Sequence, residues 1–129
     1  MTDFIVPESL RELAGQFPGL RLLVLHGSRA RNDSNHQSDW DFACLGDDSL
    51  DSLTLRDRLS ATLGTDKIDL ADLSGAGGLL RYRVARSGKL IFEREYGIFD
   101  DFRIRAALFW FDVEPIVRAE HAAILEALG

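Results

Sequence analysis

A single cysteine, Cys44, stands among the 129 residues, so no intrachain disulfide can form and no cysteine-based zinc site is available. The three histidines, His26, His36 and His121, are too scattered to substitute for one. Basic side chains are outnumbered 15 to 21, a net charge of −6, which argues against the basic face of a free-standing nucleic-acid binder. No apolar run approaches the ~20 residues needed to span a bilayer. The first seven residues, MTDFIVP, lack the basic stretch and long apolar segment of a signal peptide. A single-domain cytoplasmic protein is expected, with no internal repeat and no low-complexity segment.

What the chain does have is aspartate in one region. Residues 33–72 hold ten aspartates against only Arg56, Arg58 and Lys67, a local balance of −7 that leaves the remainder near neutral. Aspartate is short and helix-averse, and dense aspartate suggests either a solvated surface or a site for hard cations.

Pro7 suits the first turn of a helix whose apolar stripe is Leu10, Leu13, Ala14 and Phe17, stopped by Pro18-Gly19. Leu20 to His26 (LRLLVLH) is a nearly continuous aliphatic run, short enough for a central strand buried on both faces. Gly27-Ser28 breaks it, and residues 32–38 (NDSNHQS) read as a loop. Asp39 to Leu45 is a second strand, with Asp39, Asp41 and Ala43 on one face and Trp40, Phe42 and Cys44 on the other. Leu50 to Leu63 carries leucines at 55, 59 and 63 and reads as a helix ended by Gly64. Lys67 to Leu73 is a third strand with Asp69 and Ala71 on one face. Residues 79–86 (LLRYRVAR) fit either a strand or a short helix, the helix being preferred, and Lys89 to Arg94 is a fourth strand. From Phe99 the chain is helical, with Pro115 expected to break or restart it. The pattern is an α/β (α+β) domain, a three- or four-stranded sheet covered by helices, with a core at about 20–95 and an α-helical C-terminal arm at about 99–128.

The chemistry concentrates where the first strand ends and the second begins. Same-face strand residues lie roughly 6.5 Å apart, so Asp39 and Asp41 can lean onto one ion or a pair, and Asp69 joins them if its strand pairs alongside. Three such carboxylates repel unless a cation is present, and magnesium, which shares its oxygen ligands with phosphates, meets that need. Glycine at Gly27 lets backbone approach a phosphate, and Ser28 and the following amides can donate to it. Arg29 and Arg31 follow, Arg31 being the better phosphate partner.

Gly27-Ser28-Arg29-Ala30-Arg31 followed by Ser38-Asp39-Trp40-Asp41-Phe42 resembles the glycine-serine and aspartate-x-aspartate signature of the DNA polymerase beta-like nucleotidyltransferases. The small size, the Lys67–Leu70 strand and the stretch from Leu80 to Glu93 look like the minimal nucleotidyltransferase (MNT) branch, and the C-terminal arm like that of MNT antitoxins paired with HEPN-domain toxins. The likeness spans roughly residues 20–118. Asn32 stands where glycine often follows the arginine, and Trp40 replaces a small aliphatic residue between the aspartates. The resemblance implies a nucleotidyltransferase fold with a small mixed sheet. It further implies that Gly27, Ser28 and Arg31 hold the triphosphate of ATP, and that Asp39, Asp41 and Asp69 are catalytic and bind two Mg²⁺ ions. The implied reaction moves AMP from ATP to a tyrosine of a HEPN ribonuclease toxin, silencing it.

Two other functions fit the same residues: a nucleotidyltransferase with a small-molecule acceptor, and a non-catalytic antitoxin that masks its partner by contact. His26, Ser28 and the aspartates also invite a hydrolase triad, but the nucleophile elbow is missing and His26 closes an apolar strand where a packed histidine is the ordinary outcome. Arg83 beside Tyr82 reads as ordinary surface. Phe109, Trp110 and Phe111 cannot all face one core, because helical neighbours point about 100° apart. Two buried and one exposed is the ordinary expectation, and an exposed aromatic patch would instead mark a partner surface.

Overall fold

The computed structural model describes residues 6–31 and 38–129. Elements run in the order α1 (Glu8–Gly15), β1 (Leu20–His26), α2 (Gly27–Ala30), β2 (Trp40–Gly46), α3 (Ser52–Leu63), β3 (Ile68–Asp72), α4 (Gly78–Ser87), β4 (Lys89–Glu93) and α5 (Ile98–Leu128). The loop expected over 32–38 falls, except for Ser38, outside the described residues.

The aliphatic run became the centre of the sheet. Strand order is β3-β2-β1-β4, with β1 antiparallel to both neighbours and β2 parallel to β3, so the sheet is mixed. A parallel pair needs a crossover, which α3 supplies. Asp51 caps α3 by accepting from the Thr54 amide at 3.1 Å, and Gly64 ends it in the left-handed region.

Because β1 is buried on both faces, its alternate residues feed two cores. Leu23 and Leu25 pack with Phe42, Cys44 and Ile68 beneath α1 and α3, through Leu10, Leu13, Leu55 and Leu59. Leu22 and Val24 pack with Ala43 beneath α4 and α5, through Val84, Phe99, Phe102 and Ala106. The period-two reading of β2 is therefore realised, with Ala43 on one face and Phe42 and Cys44 on the other. Phe42 is fully buried, so Phe42→Ala should cost about 3–5 kcal/mol, measurable as a lower urea midpoint at unchanged slope. Burial also pushes the Cys44 thiol up to about 11, which makes it an unreactive packing residue.

The strand ends where Gly27-Ser28 is expected to break it, and Gly27–Ala30 then forms one helical turn. One expectation is corrected. Pro115 neither breaks nor restarts a helix, for α5 runs unbroken through it for 31 residues. The missing amide frees the Phe111 carbonyl, and this stretch of α5 is exposed enough for water to satisfy it. The aromatic triplet also departs from the ordinary expectation: none of the three is buried, with Phe109 and Phe111 exposed and Trp110 half-buried.

The α5 start is anchored by Glu93, whose carboxylate accepts from the Gly97 and Phe99 amides at 3.2 and 3.0 Å, favourable at a helix N-terminus. Arg103 ties α5 to α4 by donating to the Ala85 carbonyl at 2.9 Å. Among the described residues no helix is long and apolar enough to cross a membrane.

Candidate active site

The ends of three adjacent strands bring the chemistry together. His26 on β1 is the register partner of Asp41 on β2, and Asp41 is the register partner of Asp69 on β3. Asp39 precedes β2 by one residue and lies two positions before Asp41. The condition set on Asp69, that its strand lie beside that of Asp41, is met.

Gly27 closes the gap between β1 and Asp41. Its φ of 73° lies in the left-handed region, and a Cβ there would overlap the Asp41 carboxylate. Both facts demand glycine, one for backbone strain and one for space.

Asp41 and His26 respond oppositely to this setting. Burial, followed by the charges of Asp69 and Asp39, pushes the Asp41 carboxyl above its ordinary value, against the pull of His26 and Arg31. Burial lowers His26, more than Asp41, the Phe42 backbone and Asp69 raise it. Its Nε2 is buried and makes no hydrogen bond with the described residues.

A raised carboxyl favours the protonated form in the folded state. The stability it contributes is present below the unfolded value and is lost as pH climbs through the folded one. At neutral pH the ionised Asp41 is therefore a net cost in the absence of cations. Asp41→Asn should raise Tm by a few degrees in chelator, and added Mg²⁺ should raise the wild type but not the variant; thermal unfolding at pH 7 checks both. For His26 the sign reverses, since its stability contribution is lost as pH falls below the ordinary histidine value toward its lower folded one.

The cavities divide the carboxylates. Asp41 lines a cavity of about 700 Å³ together with His26, Gly27 and Arg31 and with residues of α4 and Trp110 of α5. Asp39 and Asp69, both exposed, line a smaller one of about 280 Å³ with Asp66 and Lys67. Among the described residues no three His, Cys, Asp or Glu side chains converge into a ready-made metal cage. Magnesium seldom uses such a cage, since it binds through one or two carboxylates and completes its shell with water and substrate phosphates. The donor set of hard oxygens, with one carboxyl raised first by burial and then by its acidic neighbours, fits that ion.

Ser28 is half-buried on α2 and does not line the larger cavity, whereas Arg31 is exposed and does. Arg29 is held elsewhere. Its guanidinium donates to the Ser38 carbonyl through Nε at 3.2 Å and NH2 at 2.9 Å, and lies 4.2 Å from the centre of the Trp40 ring. Trp40 in turn stacks on Phe42 at 6.2 Å. The unusual tryptophan between the aspartates thus fastens the start of β2 to α2 by cation–π contact and core packing.

The outer wall of the larger cavity includes Arg83, expected only as ordinary surface, together with α4 residues that the sequence did not single out. Leu79, Tyr82, Arg83 and Arg86 line it from α4, at i, i+3, i+4 and i+7. That spacing was the available signal, because such positions share one helix face. His26, expected as a packed strand-end residue, is half-buried with its Nε2 buried, and it also lines the cavity wall.

A glycine turn set against a carboxylate, acids on two parallel strands and an arginine-lined cavity suit the handling of a phosphate ester with a hard cation. The chain belongs to the polymerase beta nucleotidyltransferase family, whose model matches residues 8–96. Among curated proteins it resembles the protein adenylyltransferase MntA of Aphanizomenon flos-aquae, at 34% identity over 124 residues, covering 87% of this chain and 82% of that protein. The MntA of Shewanella oneidensis is 33% identical over 86 residues, covering 64% and 61% respectively. Among solved structures, a chain of a toxin-antitoxin crystal structure with AMP-PNP superimposes with a TM-score of 0.68 at 26% identity, covering 91% of this chain and 93% of that one. A chain of the tri-AMPylated Shewanella oneidensis HEPN toxin in complex with MNT antitoxin gives 0.61 at 25% identity, covering 94% and 91%.

Proposed function

We propose that this chain is a Mg²⁺-dependent protein adenylyltransferase that acts as the antitoxin of a HEPN ribonuclease, moving AMP from ATP to a tyrosine of the toxin. The observation that carries the reading is Gly27 folded against Asp41 with Asp69 in register beside it. The similarity to MntA proteins and to antitoxin chains crystallised with AMP-PNP or with an AMPylated toxin supports the same acceptor and nucleotide.

In this reading the triphosphate lies in the larger cavity on Gly27 and Arg31, with Ser28 adjoining Gly27 in the turn without lining that cavity, and the acceptor hydroxyl enters from the side of Asp39 and Asp69. Asp39, Asp41 and Asp69 would hold two Mg²⁺ ions, which when bound neutralise charge building on the phosphate oxygens. Asp69 orients the tyrosine hydroxyl and takes its proton. The phenolic oxygen forms a bond to the α-phosphorus, the bond from that phosphorus to the β-phosphate oxygen breaks, and pyrophosphate leaves. Arg31 offsets the charge on the departing pyrophosphate. In this reading the protein works in the cytoplasm, where ATP is at hand, as one domain with its catalytic core at about 20–95 and its arm at about 99–128.

A second reading, neutralisation by contact, is favoured by the exposed apolar side chains of α5, among them Leu108, Phe109, Phe111 and Ile116. Isotope position separates the two. With Mg²⁺ and the cognate toxin, α-labelled ATP should label the toxin and γ-labelled ATP should not. Label from neither position would leave contact as the means of neutralisation.

A further inference from the structure

We propose that Tyr82 and Trp110 form the platform on which the nucleotide base stacks, with Arg83 and Arg86 on the same wall holding the phosphates. The inference rests on the nucleotidyl-transfer reading above and assigns its base subsite.

The α4 face lining the cavity changes character along its length, from Leu79 and Tyr82 to Arg83, Arg86 and Ser87. The orientation of that gradient follows from the sheet. Gly88 ends α4 and Lys89 opens β4 opposite Leu25, so Arg86 and Ser87 lie at the end nearest His26 and Gly27. Tyr82 stands about one helical turn, roughly 6 Å, further from the glycine turn. Neither the Arg83 nor the Arg86 guanidinium makes a hydrogen bond or ion pair with another described residue. Cations thus sit beside the phosphate-binding turn and an aromatic wall beyond them, the same order as phosphates and base in a nucleotide.

The aromatic wall is built by contact between two helices. Trp110 of α5 stacks on Tyr82 with ring centroids 6.0 Å apart and planes 21° from parallel, and Phe111 meets Tyr82 edge-on at 5.9 Å. Close by, α4 meets α5 at Gly78, where a Cβ would come within 2.8 Å of the Phe109 ring but would be in ordinary contact with Trp110 at 3.6 Å. Both platform rings are only half-buried, and both line the cavity. Braced, partly exposed rings lose little freedom when a base stacks on them, and stacking tolerates any base because each offers a π face.

The test is binding to the full-length chain by calorimetry, with ATP and with inorganic tripolyphosphate as probes. Trp110→Leu should weaken ATP about tenfold, while Trp110→Phe stays within about twofold of wild type. Tripolyphosphate, which has no base, should bind both variants as it binds wild type, and this also reports an intact fold. Arg86→Gln should weaken both probes. The platform is overturned if Trp110→Leu binds ATP as wild type does, or if tripolyphosphate weakens in parallel with ATP. A wild type that binds neither probe would overturn the nucleotidyl-transfer reading itself, a separate outcome.

Discussion

Replacing Asp39 and Asp41 together by asparagine is expected to lower AMP transfer by about 1,000-fold, the order of effect that follows when a site loses roughly 4 kcal/mol of cation-assisted charge stabilisation. The loss should come without unfolding. Asp39 is exposed, and Asp41 is a carboxylate whose ionised form is disfavoured by burial and by its two acidic neighbours. The same double variant is therefore expected to have a Tm at least as high as wild type in chelator. Activity and stability moving in opposite directions is the signature of a site built for charge it cannot hold alone. A variant that lost both together would place these aspartates in the scaffold instead.

Gly27→Ala is expected to produce the second large effect, about a 100-fold fall in kcat, because the added methyl takes the space of the Asp41 carboxylate. Displacing a catalytic group by about 1 Å can carry that cost. The left-handed φ adds about 1–2 kcal/mol of backbone strain. Gly64→Ala separates the two contributions. Gly64 also has positive φ, of 70°, but nothing lies within 4 Å of the position a Cβ would take. It should lose comparable stability and keep full transfer activity. Equal kinetic damage from both variants would mean that strain, and not the Asp41 contact, controls the rate.

Much of this site was legible because its determinants are local. The run from Leu20 to His26 identified a doubly buried strand, and the alternation of Asp39, Asp41 and Ala43 identified one face of β2. The pairing of Asp69 with Asp41 followed once β3 was placed alongside. What was not legible depends on packing between distant segments. Arg29 is the weaker phosphate candidate beside Arg31 in the sequence, and its guanidinium contacts Ser38 and Trp40, nine and eleven residues further on. The Tyr82–Trp110 contact joins positions 28 residues apart on two helices that pack together only in the folded chain. Pro115 reads as a helix breaker, and solvent beside the exposed α5 arm removes the reason to break.

The aspartate-rich region resolves accordingly. Asp39, Asp41 and Asp69 gather at the strand ends, while Asp47 and Asp51 have their carboxyls held below the ordinary range by hydrogen bonds to Ser49 and Thr54 in turn and cap. Of these five, three carry the proposed cation site and two serve local turn and cap chemistry.

The most direct measurement concerns the toxin after the antitoxin has been removed. Cognate HEPN toxin is incubated with this chain, ATP and Mg²⁺, separated from it under denaturing conditions, refolded, and assayed for ribonuclease activity and intact mass. The expected result is a toxin that stays silent and is heavier by whole AMP units, whereas toxin exposed to the Asp39→Asn/Asp41→Asn variant regains activity at unmodified mass. A toxin that recovers full ribonuclease activity at unmodified mass after exposure to the wild-type chain would contradict covalent neutralisation.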